Sequence, residues 1–199
     1  MDTGAPVGMA PRDGAHPGNK AVVRRELLRR RRDVGPAAGA RELAEGVLAL
    51  VGPTPGTVCA YASAAGEPPT GVLLDRLDAA GHRVLLPVLL DDADLDWAPW
   101  TAGTALTPGR LELMEPAGPR LGLDAVAEAD LVVCPGLAGD LHGNRLGRGG
   151  GSYDRALSRT RARRVLLLHD HEVLDAVPAH AHDQPVDVIV TPTRTLVCR

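Results

Sequence analysis

From residue 135 to residue 155 the sequence reads Pro-Gly-Leu-Ala-Gly-Asp-Leu-His-Gly-Asn-Arg-Leu-Gly-Arg-Gly-Gly-Gly-Ser-Tyr-Asp-Arg. Four glycines and two arginines fall within the seven residues 145–151. A simple turn does not need that density. Gly147, Gly149, Gly150 and Gly151 have no Cβ, so their N–H groups can converge on an anion. Arg145 and Arg148 add fork-shaped donors that match phosphate oxygens. A helix expected from Ser152 adds the partial positive charge of its N-terminus. The segment follows an apolar stretch that reads as a buried strand, and the carboxyl end of a strand is where open α/β sheets place ligands. Phosphate binding is the chemistry this pattern supports. The loop is not a Walker P-loop, because it lacks Gly-Lys-Ser/Thr, and its glycines do not fit G-x-G-x-x-G.

Asp154 falls one turn into the expected helix. A carboxylate there repels a bare phosphate, which a Mg²⁺ between them would relieve. The plain alternative is an acid satisfying the helix start. Asp183, ahead of the last expected strand, is a second acid for the same pocket. Lys20 and Arg24 are four residues apart, hence on one helix face, where two cations can straddle a polyphosphate. Lys20 is the single lysine beside 21 arginines, a compact ammonium where the chain otherwise uses guanidinium. The pairs His169/His171 and His180/His182 read as polar loop residues rather than metal ligands, and no H-E-x-x-H is present.

Apolar runs separated by helical stretches must position these groups. A helix is expected over residues 20–33 with Asn19 as N-cap, its four arginines at 29–32 forming a solvated end. A second helix starts at Pro36 and runs to about residue 51. Strands are expected at 57–62, 82–90, 95–100, 111–114 and 130–134, with the last two at 164–168 and 186–190. Helices are expected at 70–80, closed by Gly81, at 125–129 and at 152–163. Continuous apolar strands alternating with helices imply a mostly parallel sheet covered on both faces.

The chain has 199 residues, 44% of them hydrophobic and 24% charged, with a net charge of −3. One α/β domain over residues 19–199 is expected, preceded by a disordered arm over 1–18 that holds four Gly and three Pro. The charge balance argues against a nucleic-acid partner. No apolar run approaches the 18 or so residues of a membrane helix, and residues 1–18 lack the apolar core of a secretory signal. Three dispersed cysteines (Cys59, Cys134, Cys198) read as reduced thiols of a cytoplasmic protein. Nothing demands a partner chain, so a monomer is expected. The core must come from Leu, Val and Ala, because there is no Phe.

The run from His142 to Arg155 resembles the 5-formyltetrahydrofolate cyclo-ligases, also called methenyltetrahydrofolate synthetases. The likeness extends from about residue 20 to 191. It includes Lys20-x-x-x-Arg24, Tyr61, Glu67-Pro-Pro-Thr70, Glu115-Pro116 and His182-Asp183-Gln-Pro-Val-Asp187. The resemblance implies a three-layer α/β/α sandwich with a mostly parallel sheet, of the kind shared with sugar-phosphate isomerases and CoA transferases. It also implies ATP- and Mg²⁺-dependent conversion of 5-formyltetrahydrofolate to 5,10-methenyltetrahydrofolate. ATP would be held by Lys20, Arg24, Arg145, Leu146, Gly147 and Arg148, and by Gly149, Gly150, Gly151, Ser152 and Tyr153. Lys20, Arg145 and Arg148 would serve the phosphoryl transfer. Asp154 and Asp183 would bind the metal, while Ala62, Glu67 and residues 148–152 line the folate site. Ser152 stands where the family pattern carries a first tyrosine, and Pro192 follows Thr191 where an acid is expected. Two other readings stay open: a folate- or nucleotide-binding protein without turnover, and an isomerase or CoA-transferase-like enzyme on the same architecture. Lys20 speaks against the latter, which needs no ATP clamp.

Overall fold

In a computed structural model, which describes residues 19–35 and 37–199, every expected strand region but one contributes to a single seven-stranded sheet. The arm expected over 1–18 and the helix start at Pro36 lie outside the described residues. In chain order come α1 (Asn19–Arg31), α2 (Ala40–Val51), β1 (Thr57–Cys59), α3 (Gly71–Ala79), β2 (Arg83–Leu89) and β3 (Leu95–Trp100). Next are β4 (Leu106–Pro108), β5 (Met114–Pro116), β6 (Leu131–Pro135), β7 (Ala138–Gly139) and β8 (Arg145–Leu146). The last elements are α4 (Ser152–Ser158), β9 (Arg163–Leu167), β10 (Val188–Val190) and β11 (Thr195–Val197).

The sheet order is β11-β10-β9-β6-β1-β2-β3, parallel from β10 to β2 and antiparallel only at its two edges. Successive strand residues point to opposite faces, and both faces are apolar. Val58 and Val84 join Leu43, Val47, Leu73 and Leu77 beneath α2 and α3. Their neighbours Cys59 and Leu85 join Trp97, Val126 and Leu157 beneath α4 and the 3₁₀ turn Leu123–Glu128. This is the expected α/β fold, with a central, mostly parallel sheet between helical layers. Each fully buried Leu or Val contributes about 1.5–3 kcal/mol relative to exposure.

The first helix departs from ordinary amphipathicity. Lys20, Arg24, Leu27 and Arg31 recur at a helical spacing of three and four, so they share one face. Leu27 packs with Leu137, Ala138 and Leu146 on the small β7–β8 hairpin. The remaining positions of that stripe are cationic. The reading of residues 29–32 as a wholly solvated run is therefore corrected: Arg29, Arg30 and Arg32 are exposed, but Arg31 is 4% exposed and paired with Glu172.

Other element boundaries moved for local reasons. The second helix begins at Ala40, behind a turn in which Gly39 takes φ +74 and packs tightly on Pro192. Helix α4 ends at Ser158 rather than 163, because the chain must turn back to enter β9. Arg164 closes that turn by donating to the carbonyls of Leu157 and Thr160. Met114 only opens β5, and residues 111–113 are not in a strand. They lie at the tip of a β4–β5 hairpin, with a 3₁₀ turn at Arg110–Glu112. The last strand is β11, an antiparallel edge that the sequence reading lacked. Among the described residues no helix is long and apolar enough to cross a membrane.

Candidate active site

A cavity of about 570 Å³ opens at the carboxyl ends of β1, β2 and β6, the position where a parallel sheet presents ligands. Its polar wall is built by α1, the glycine loop 147–151 and the segment around Asp183. Its apolar wall comes from Tyr61, Pro87, Leu89, Leu95, Leu113 and Met114. The structure brings Lys20, Arg24, Ala62, Glu67, Asp154, Asp183 and every residue from Arg145 to Tyr153 to this one cavity.

The cations arrive from two directions. Arg24 of α1 donates from Nε to the Gly147 carbonyl at 2.9 Å, which fixes the glycine loop against the helix. Gly149 has φ +107, a conformation side chains rarely adopt, and a Cβ there would also touch the Arg24 guanidinium at 3.6 Å. Arg145 is buried, lies 5.8 Å from the centroid of the Tyr153 ring and pairs with Asp154 at 2.7 Å. Its Nε has no hydrogen-bond partner among the described residues, nor does the buried Tyr153 hydroxyl.

Every carboxylate of the site is matched by a cation. Lys20 Nζ lies 2.9 Å from Asp183 Oδ2, which also accepts the His180 N–H at 2.7 Å. Burial raises the Asp183 pKa, but the Lys20 ammonium and the His180 N–H outweigh it and hold the group below its ordinary value. Asp154 Oδ1 accepts from Arg145 and from the Gln184 N–H at 3.2 Å, so the two acids sit side by side through neighbouring residues. Among the described residues no cluster of three or more His, Cys, Asp or Glu could hold a metal. His180 and His182 stack on each other at 5.5 Å and line the cavity without forming such a cluster.

The segment opposite the loop is locked by its own hydrogen bonds. Thr70 Oγ1 donates to the Tyr61 carbonyl at 2.6 Å and accepts the Ser63 N–H. Glu67 Oε2 accepts the Ala64 N–H, leaving Oε1 to meet Arg148 Nη2 at 3.1 Å. Burial pushes the hydroxyl pKa values of Tyr61 and Tyr153 well above the usual range, so neither is a base near neutral pH. Glu115, part of the Glu115-Pro116 signature, accepts the Leu89 N–H at 2.9 Å and so ties the hairpin to β2.

Sequence reasoning missed the apolar wall and Arg31. The wall is assembled from three stretches without a common motif. Arg31 was legible only as the fourth member of the 20-24-27-31 stripe, which an all-arginine run conceals. Leu111, at the hairpin tip, is 83% exposed with φ +53 and also lines the cavity.

Residues 17–192 match the model of the 5-formyltetrahydrofolate cyclo-ligase family. A 5-formyltetrahydrofolate cyclo-ligase of Mycolicibacterium smegmatis is 39% identical over 190 residues, covering 91% of this chain and 97% of that protein. The Escherichia coli enzyme of the same name is 32% identical, covering 69% of this chain and 79% of its own length. Among solved structures, 5,10-methenyltetrahydrofolate synthetase of Aquifex aeolicus superposes with a TM-score of 0.73 at 28% identity, over 90% of this chain and 93% of the other.

Proposed function

Because the chain belongs to the 5-formyltetrahydrofolate cyclo-ligase family, we propose that it converts 5-formyltetrahydrofolate and ATP to 5,10-methenyltetrahydrofolate, ADP and phosphate, with Mg²⁺ accompanying the nucleotide. The observation that carries this reading is the division of one cavity. Lys20, Arg24, Arg145 and the glycine loop form one wall rich in cations and backbone N–H groups, and Tyr61, Leu89 and Met114 supply apolar surface to the same cavity.

The chemistry explains why both walls are needed. A formamide oxygen leaves too poorly for N10 of the folate to close the ring and expel it. The formyl oxygen therefore attacks the γ-phosphorus, the bond to the bridging oxygen breaks and ADP leaves. N10 then adds to the activated formyl carbon, phosphate departs with the former formyl oxygen, and the N10 proton passes to solvent. Such a transfer asks the protein mainly for positioning and for cations around the phosphoryl oxygens.

Lys20, Arg24 and Arg145 are held by fixed partners, which suits them to keep the nucleotide in place. Arg148 is 53% exposed, with Glu67 as its one ion-pair partner among the described residues. It is the cation best able to follow the γ-phosphoryl towards the formyl oxygen. Glu67 and Ala62 then face the folate, with the apolar wall against its ring system.

Asp154 and Asp183 fit Mg²⁺. Both are hard oxygen donors on the cavity, and each keeps one carboxylate oxygen that its cationic partner does not take. Mg²⁺ is commonly held by one or two carboxylates together with phosphates and water. When bound, it would neutralise negative charge on the nucleotide phosphates. The same reading carries a small-molecule substrate, no nucleic-acid or membrane partner, and a monomer working in the cytoplasm.

Near-UV absorbance of the protein with 5-formyltetrahydrofolate and Mg²⁺, with and without ATP, tests the proposal. The expected result is an ATP-dependent rise of the methenyl chromophore. Absence of a rise while ATP binds would favour the binding-protein alternative and point to Ser152.

A further inference from the structure

Arg31 is a buried cation of the cavity that phosphate binding by the glycine loop does not explain. Its Nε meets Glu172 Oε1 at 2.6 Å, and its Nη2 donates to Glu172 Oε2 at 3.0 Å and to the Gly136 carbonyl. Glu172 is fully buried, and its Oε2 also accepts the His169 N–H at 2.9 Å. The guanidinium is thus held in one plane. The backbone of Gly66 packs against the stem, so that a Cβ there would lie 3.2 Å from Arg31 Cβ. Arg31 therefore stands between the turn that carries Glu67 and Gly136, the residue that follows β6.

Two features set this pair apart from a structural brace. A buried ion pair is weak evidence for stability, since well-packed apolar groups often do as well or better. And Arg31 lines the cavity, while its Nη1 amino group has no hydrogen-bond partner among the described residues. A planar donor that is fixed by its neighbours and open on the ligand side loses little freedom when it binds.

We infer that Arg31 is a ligand-binding residue of this site, donating from Nη1 to an oxygen acceptor lying between the 61–67 segment and Gly136, where the two substrates meet. The inference rests on the function proposed above. The acceptor is a carbonyl oxygen of the reduced folate or a terminal phosphate oxygen of the nucleotide. Glu172 is the positioning residue that sets the plane of the donor.

The test uses the double variant Arg31→Met/Glu172→Gln, which removes both charges and leaves an acceptor for the His169 N–H. Calorimetric titration with 5-formyltetrahydrofolate and, separately, with ATP and Mg²⁺ reads the affinities without requiring turnover. Wild-type turnover, followed by absorbance, tests the functional reading by itself. In a double variant that melts near wild type, one affinity falls about tenfold or more, the scale of a charged hydrogen bond, while the other is unchanged. A loss confined to the folate assigns the acceptor to the folate, and a loss confined to ATP assigns it to the nucleotide. Both affinities within twofold of wild type would overturn the inference and leave a brace. Should the double variant fail to fold, Arg31→Lys serves in its place, because it keeps the charge but not the planar fork. Unchanged affinities in that variant would overturn the inference equally.

Discussion

Arg148 Nη2 lies 3.1 Å from Glu67 Oε1, so one ion pair joins the glycine loop to the opposite side of the cavity. Glu67 is 8% exposed and its other oxygen is committed to the Ala64 N–H. Arg148 is half in solvent, so the pair adds little stability. In the proposed reaction it would couple the two substrate subsites, because a ligand group that took Glu67 would release Arg148 to turn to the phosphates.

Arg148→Ala is expected to lower kcat roughly 100-fold or more, the scale of losing one electrostatic donor to a transition state. Its melting temperature should stay near wild type because an exposed partner is removed. Steady-state kinetics beside a thermal melt check both; near-wild-type kcat would contradict the role given to Arg148.

Lys20→Met should weaken ATP about tenfold or more while leaving 5-formyltetrahydrofolate affinity intact, since a lost charged hydrogen bond is worth about 1.5–3 kcal/mol. The substitution also strips Asp183 of its ammonium partner, so the carboxyl pKa moves up from its depressed value, with the His180 N–H still opposing burial. ATP binding should accordingly become more sensitive to acid than in wild type, which titrations at two pH values would reveal.

Asp94 gives a pH-dependent prediction for stability. The Arg159 guanidinium, with contacts to both carboxylate oxygens, holds the Asp94 pKa below its ordinary value. A depressed folded-state pKa means stability that is present above the unfolded value, about 3.9, and lost as pH falls through the folded one. Urea denaturation of wild type and Asp94→Asn should therefore show a constant gap between pH 7.5 and 5.5. That gap should shrink as the pH drops below 4, and a gap that widened there would contradict the assignment.

Thiol labelling probes the buried strands. Burial pushes the Cys134 thiol up to about 12 and the Cys59 thiol well above its usual range, and both side chains are sealed from solvent. A thiol reagent should label the native protein at Cys198 alone and reach all three cysteines after denaturation. Native labelling of Cys59 or Cys134 would show that the sheet opens.

Leu166 is fully buried and lies directly under Gly136 and Gly139, where added Cβ atoms would meet it at 2.7 Å. Leu166→Ala should cost about 2–5 kcal/mol by denaturant unfolding. Because the void it leaves is beneath Gly136, which lines the site cavity, both substrate affinities should weaken as well.

What could be read from the sequence divides along the same lines. The glycine loop was legible because its chemistry is contiguous, and Lys20 with Arg24 because a helix repeats at a known interval. Strands β2, β6 and β9 were legible as apolar runs, and β3 as a short strand between turns. Edge strand β11 was not, for Thr195 and Val197 are exposed and carry no burial signal. The β4–β5 hairpin misled for a related reason: its inward Leu113 and outward Leu111 look alike in one dimension. Arg31 was hidden by its neighbours, since composition cannot say which of four arginines a helix turns inward.

The inward stripe of α1 also sets the order in which the pocket can come into existence during synthesis. Lys20 must wait for Asp183, 163 residues further along, and Arg31 for Glu172, 141 residues further. At a ribosomal pace of about 5–20 residues per second, the Lys20 delay is roughly 8–30 seconds. Helix α1 thus waits through most of the chain's synthesis for its polar partners, and the nucleotide pocket proposed above is incomplete until the segment before the sheet's final parallel strand has been made.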